Sequence, residues 1–293
     1  MRVSRGLRTA LLFSTLLASA AAPGSPQAPA TEAFVSGPWL ETQLPPSVVL
    51  LDARPFREFL SGHLPGAQSV SAENLRSTAG GVPAALYPSE LLDAIFARVG
   101  IDAKAHVVVY GAETDVDATY VATAARIAGA ARVEVLDGGF TRWTAEGRPV
   151  TRERVLSPGV KPDRGIDARL LVSGAEARKR VGDGKTVFLD VRPAEQWLAG
   201  RIPGAKNRFW KADVADGSLR PLADLRDELE AAGVSWERPV VVYCNSGHQA
   251  SEALWLLREA LGHPDARLYQ GSWLEWSMTP GAPRESGPLA ETP

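Results

Sequence analysis

Val240 to Ser251 reads V-V-V-Y-C-N-S-G-H-Q-A-S and holds the one cysteine of a 293-residue chain. The apolar, β-branched run ahead of Cys244 predicts a strand over Pro239 to Tyr243. Beyond it, Ala253, Leu254, Leu257 and Leu261 fall at helical spacing and predict a helix from Ala250 to Leu261. Cys244 thus stands at the C-terminal end of a strand, in the turn that feeds a helix, the edge at which open α/β sheets bind ligands. Backbone N–H groups and the positive end of the helix dipole can converge on one point in such a turn, which suits a negatively charged sulfur with an anion beside it. Gly247 allows positive φ and leaves room for an approaching ligand.

The chain repeats itself. Leu51-Asp52-Ala53-Arg54-Pro55 and Gly62-His63-Leu64-Pro65-Gly66-Ala67 recur as Leu189-Asp190-Val191-Arg192-Pro193 and Gly200-Arg201-Ile202-Pro203-Gly204-Ala205, at an offset of 138. From Leu86, matched by Leu219, the offset is 133, and it carries Val107–Tyr110 onto Val240–Tyr243 and Trp143 onto Trp276. The five-residue slip falls between Ala67 and Leu86, where Gly80-Gly81 predicts a longer loop in the first copy. Each copy alternates short apolar runs with helical patterns: Ser47–Leu51, then Glu90–Val99 capped by Ser89, Val107–Tyr110, Asp117–Ile127 and Val133–Leu136 in the first. The expectation is an α/β fold used twice, each domain a central, mainly parallel sheet flanked by helices. The boundaries predicted are residues 34–150 and 168–284, a linker at 151–167, and a tail at 285–293. The prolines and glycines of the linker, and the stretch from Pro280 onward, predict flexible chain.

Lys+Arg 32 against Asp+Glu 34 leaves a formal charge of -2, which argues against a nucleic-acid or anionic-membrane partner. Arg2, Arg5 and Arg8 precede the apolar run Ala10–Leu17 and the small residues Ala18-Ser19-Ala20, the pattern of a secretory signal over residues 1–22, cut after Ala20 or Ala22, with a flexible linker at 23–33. No other stretch approaches the length of an apolar spanning helix. A soluble, acidic, monomeric product in the periplasm or outside the cell is expected. One cysteine in such a compartment cannot staple the chain to itself. Cys244 is therefore a buried inert thiol, an intermolecular link or a working nucleophile.

A thiol in an anion cradle permits attack on a sulfane sulfur, giving a persulfide, or attack on phosphorus. Tyrosine-type phosphatases place an arginine six residues after the cysteine. Ala250 stands there, and the loop has no arginine.

L-D-x-R-P, G-[HR]-[LI]-P-G-A, the strand before the loop, and G-[GS]-[FW]-x-x-W occur in both copies, and through them residues 34–284 resemble the tandem-domain rhodaneses. That family includes thiosulfate and 3-mercaptopyruvate sulfurtransferases. The resemblance implies a ping-pong sulfurtransferase with Cys244 as nucleophile, no metal and no organic cofactor. It implies a small anionic donor and a thiol, cyanide or protein acceptor. Asn245, Ser246, Gly247, His248 and Gln249 would form the loop that holds the persulfide, and Arg192 would contact the donor anion or serve as a structural ion pair. Gly111 replaces the cysteine in the first copy, and Glu113, Asp115 and Asp117 make that loop repel anions, so the first domain is read as inactive. Asp190 is read as structural, His63 as a surface or turn residue, and Trp210 and Trp273 as core aromatics or pocket walls. Asn245 and Ser246 are neutral where thiosulfate-specific relatives carry basic residues, and C-N-S-G resembles the C-G-S-G of mercaptopyruvate-specific ones. Glu195-Gln196-Trp197-Leu198 offers no match to those enzymes' second donor-binding arginine. Thiosulfate is the expected donor. The alternatives are mercaptopyruvate, or a carrier that holds a persulfide without turnover.

Overall fold

A computed structural model describes residues 33–44, 48–78, 81–82, 84–161 and 167–288. The signal read over 1–22, and nearly all of the linker at 23–33, lie outside them. The described residues, from Ala33 on, form one compact unit.

Two five-stranded parallel sheets organise it. The first contains β1 (Phe34–Val35), β2 (Val49–Asp52), β3 (Gln68–Ser69), β6 (His106–Tyr110) and β7 (Arg132–Leu136), in the order β1-β7-β6-β2-β3. The second contains β8 (Leu171–Val172), β9 (Val187–Asp190), β10 (Lys206–Asn207), β13 (Val240–Tyr243) and β14 (Ala266–Tyr269), in the equivalent order β8-β14-β13-β9-β10. Each sheet is flanked by helices: α1 (Gly37–Thr42), α2 (Phe56–Ser61), α3 (Ser89–Arg98), α4 (Val116–Ile127) and α5 (Gly139–Ala145) in the first half. In the second these are α6 (Gly174–Arg180), α7 (Ala194–Ala199), α8 (Leu222–Ala231), α9 (His248–Trp255) and α10 (Ser272–Met278). The central strands β6 and β13 are almost wholly buried, as their continuous valine runs require of a parallel strand covered on both faces.

Two hairpins complete the repeat. β4 (Arg76–Ser77) pairs with β5 (Ala85–Leu86), and β11 (Val214–Ala215) with β12 (Ser218–Leu219). Asp216 and Gly217, at φ 51° and 73°, turn the second hairpin in two residues. Positive φ at both positions is what a tight hairpin of the right twist needs. The five-residue slip in the repeat lies in the longer connection of the first hairpin.

α4 and α9, the helices that follow the two central strands, pack against each other across the molecule. Thr119 Oγ1 and Ser251 Oγ lie 3.4 Å apart, and Trp255 Nε1 donates to Ala33 O at 3.1 Å. Ala118, Ala122, Ala124 and Ala125 on α4 are buried in the core of the first half. Both central loops therefore open on the seam between the halves.

Several local expectations change. Pro88, not Ser89, stands at the N-cap of α3, and Ser89 is the first helical residue. α9 ends in a π turn over Leu256–Ala260. The described part of the linker is tied to the first half, with Thr151 bridging His63 and Val160 donating to Ala97 O. At the tail, Glu285 bridges Arg201 in the same way. His63 is fully buried, not a surface residue: its ring stacks on Phe59 at 3.9 Å, and its nitrogens lie 2.9 and 3.1 Å from Phe59 O and Glu153 O.

Candidate active site

Cys244 follows the last residue of β13 and is 2% exposed. Its own N–H donates to Ser272 Oγ at 3.2 Å, and its carbonyl accepts from Trp273 N at 3.0 Å. Asn245 O accepts from Leu274 N, and Asn245 Nδ2 donates to Gln196 Oε1 at 2.9 Å. Gly247 turns the chain into α9 at φ 82°, and a Cβ there would meet Gln270 O at 2.8 Å, so both the conformation and the space require glycine. Among the described residues the N–H groups of Asn245, Ser246 and Gly247 donate to no protein acceptor. His248 and Gln249 open α9, where first-turn N–H groups have no partner within the helix. The loop thus surrounds the thiol with uncommitted donors, the arrangement that holds an anion.

The first half shows what such a loop looks like when filled. Asp115, at the N-cap of α4, accepts from the N–H groups of Ala112, Glu113, Asp117 and Ala118 at 2.9, 3.2, 3.1 and 3.0 Å. Its carboxylate sits against Gly111, the residue that takes the place of Cys244. That loop supplies its own anion.

Arg192 is 2% exposed and lies in a buried ion pair. Its Nε and Nη2 donate to the Asp190 carboxylate at 2.9 and 2.5 Å, and Nη2 also reaches Gly200 O at 2.7 Å. Asp52 and Arg54 repeat the pair at 2.9 and 2.5 Å, with Gly62 O in place of Gly200 O. The Arg192 guanidinium also lies over the Trp273 ring at 4.9 Å. Trp210 is buried in the core of the second half, whereas Trp273 is half-buried and packs on Gly200.

The cation that touches the loop is one that sequence reasoning missed. Arg76, on β4 of the first half, donates through Nη2 to Ser246 Oγ at 2.6 Å, and its Nη1 lies 3.4 Å from His248 Nδ1. A guanidinium only donates, so in this contact Nδ1 is the acceptor. Nε2 approaches Asp117 Oδ1 to 2.8 Å, off the line of a good hydrogen bond, and the edge of the ring meets Tyr120 at a centroid distance of 4.9 Å. Burial raises the Tyr120 hydroxyl above its ordinary range, with Arg76 opposing, so it stays protonated. Among the described residues no cluster of three or more His, Cys, Asp or Glu could hold a metal ion, and no helix is long and apolar enough to cross a membrane.

A model of the rhodanese-like domain matches residues 38–146 and again 173–279. A sulfur carrier protein of Thermus thermophilus is 30% identical over 87% of this chain and 97% of its own. The thiosulfate sulfurtransferase of Azotobacter vinelandii is 29% identical over 82% and 92%. The solved structure of the Escherichia coli 3-mercaptopyruvate sulfurtransferase superposes with a TM-score of 0.76 at 26% identity, covering 83% of this chain and 99% of that one.

Proposed function

The chain belongs to the rhodanese-like family, and from that premise we propose that it transfers a sulfane sulfur from thiosulfate to cyanide or a thiol through a persulfide on Cys244. One observation carries the reading: Cys244 lies in a loop of uncommitted N–H donors, while the twin loop has lost the cysteine and filled the same cradle with the Asp115 carboxylate.

The Cys244 thiolate attacks the outer sulfur of thiosulfate. The new S–S bond forms as the bond to the sulfonate sulfur breaks, and the electron pair leaves with sulfite. The terminal persulfide sulfur then carries the negative charge, and the loop N–H groups stabilise it without rearranging. Cyanide attacks that sulfur, thiocyanate departs, and the thiolate returns. Cys244 is 2% exposed, so little of the thiol meets solvent before a donor arrives.

Asn245 and Ser246, being neutral, leave 3-mercaptopyruvate as the second donor to test. The Thermus relative's name as a sulfur carrier supports a further reading, a persulfide held for a partner. The pattern at residues 1–22 supports export, with the mature protein acting in the periplasm or beyond it. Steady-state thiocyanate formation tests the enzyme reading. Parallel double-reciprocal lines for thiosulfate and cyanide, abolished by Cys244→Ser, are expected. Intersecting lines, or turnover surviving in that variant, contradict it.

A further inference from the structure

We propose that Arg76, which belongs to the half without a thiol, is the cation that receives the anionic end of the sulfur donor at the Cys244 loop. The inference rests on the sulfurtransferase reading and assigns its donor site.

From Cys244 to Ser251 the loop carries no lysine or arginine, although the donors of this chemistry are anions. Arg192 cannot make up the charge freely, since its guanidinium is buried and matched by Asp190. Arg76 differs from it in every respect. Its partners are the Ser246 hydroxyl, the His248 imidazole, Ala84 O at 3.4 Å and the Tyr120 ring at 5.8 Å, none of them negative. Among the described residues no carboxylate pairs with it. A half-buried guanidinium without a counter-ion is unfavourable until an anion arrives, and its planar fork fits two oxygens of a sulfonate or carboxylate. Ser246 adds to this, because its oxygen accepts from Arg76 and its own proton is donated to no described residue. His248 is pinned beside the fork, with Asp117 on the far side of its ring.

The internal repeat supplies an independent comparison. Each half's hairpin lies against the other half's central loop: Arg76 of β4 reaches Ser246, and Gly217 O of the second hairpin accepts from Thr114 N at 2.9 Å. At the offset of 138, the counterpart of Arg76 is Val214. The loop that the second hairpin touches already holds its own anion, Asp115, and that hairpin carries Val214 where the first carries Arg76. Among the described residues no carboxylate of the chain accepts from the N–H groups of the loop that Arg76 touches, and this hairpin brings a cation. One loop is thus supplied with a carboxylate of its own and the other with a cation across the seam, as expected if the second binds an external anion.

The test is single-turnover loading of the full chain at rising thiosulfate, then at rising 3-mercaptopyruvate, with Arg76→Gln, Arg76→Lys and wild type, followed by cyanide discharge of protein loaded at saturation. Arg76→Gln is expected to raise the half-saturating concentration of the preferred donor by about tenfold or more, Arg76→Lys by less, and both to keep the wild-type unfolding midpoint. Half-saturation unchanged in Arg76→Gln overturns the proposal. So does a variant whose loading and discharge fall together with its unfolding midpoint, which marks a structural role. Wild-type protein that loads from neither donor overturns the sulfurtransferase reading itself, and this assignment with it.

Discussion

A Cβ placed on Gly111 would lie 2.2 Å from Oδ1 of Asp115. The position equivalent to the nucleophile and the carboxylate that fills the first cradle therefore exclude one another. Restoring a cysteine there does not restore a site. Gly111→Cys alone is expected to destabilise the protein by about 2–4 kcal/mol, because it forces apart the Asp115 cap and its four N–H donors, and to load no second sulfur. A second sulfur on that single variant, read by intact mass, would show that the first loop is not closed by Asp115.

Ser272 is one of few non-glycine residues with positive φ, at 52°, and its twin Gly139 adopts the same φ of 52°. The strain is held by two bonds: Ser272 Oγ accepts from Cys244 N and donates to Tyr269 O at 2.8 Å. Ser272→Gly relieves the backbone while losing those bonds, so stability should change by less than about 1 kcal/mol. Ser272→Ala loses the bonds and keeps the strain, and should cost about 1–2 kcal/mol. Denaturant midpoints in the order wild type, then alanine, then glycine would contradict this account.

Arg54 and Arg192 hold equivalent ion pairs, so replacing either by methionine should lower stability similarly, by about 3–5 kcal/mol, since each leaves a buried carboxylate unpaired. Folded Arg192→Met should still load from thiosulfate with half-saturation near the wild-type value. A selective loss of donor affinity in Arg192→Met, at stability equal to Arg54→Met, would return the donor-binding role to Arg192.

The strand, the loop and the following helix around Cys244 were legible because their signals are local: a β-branched run, one glycine and a helical period. The repeat showed which half has no thiol for the same reason, since Gly111 can be aligned with Cys244. Arg76 was not legible. It meets Ser246 across 170 residues of sequence, and nothing in Leu75-Arg76-Ser77 announces which loop the hairpin will touch. His63 was misjudged on similar grounds: Gly62-His63-Leu64 reads as a turn, yet an acceptor 90 residues away, Glu153 O, helps to bury the ring. Gln196 likewise became visible only in three dimensions, as the side chain that holds Asn245.

Behind the loop, α9 carries Glu252, which is buried beside Asp213; Arg208 pairs with Asp213. Burial first, and the Asp213 charge second, push Glu252 well above the ordinary carboxylate range. The folded state then binds a proton that the unfolded state has released above its ordinary value of 4.5. Stability from this group is complete below that pH and declines as pH rises towards the raised folded value. Glu252→Gln should flatten that decline and be at least as stable as wild type at pH 8. A decline with rising pH that is unchanged in the variant would show that Glu252 titrates in the fold as it does in the unfolded chain.

The most direct measurement is the intact mass of the purified protein before and after thiosulfate, then after cyanide, beside Cys244→Ser. The account predicts a gain of roughly 32 Da, one sulfur atom, that cyanide removes and the serine variant never acquires. A protein that gains no sulfur from thiosulfate, or a serine variant that gains it equally, would contradict the Cys244 persulfide.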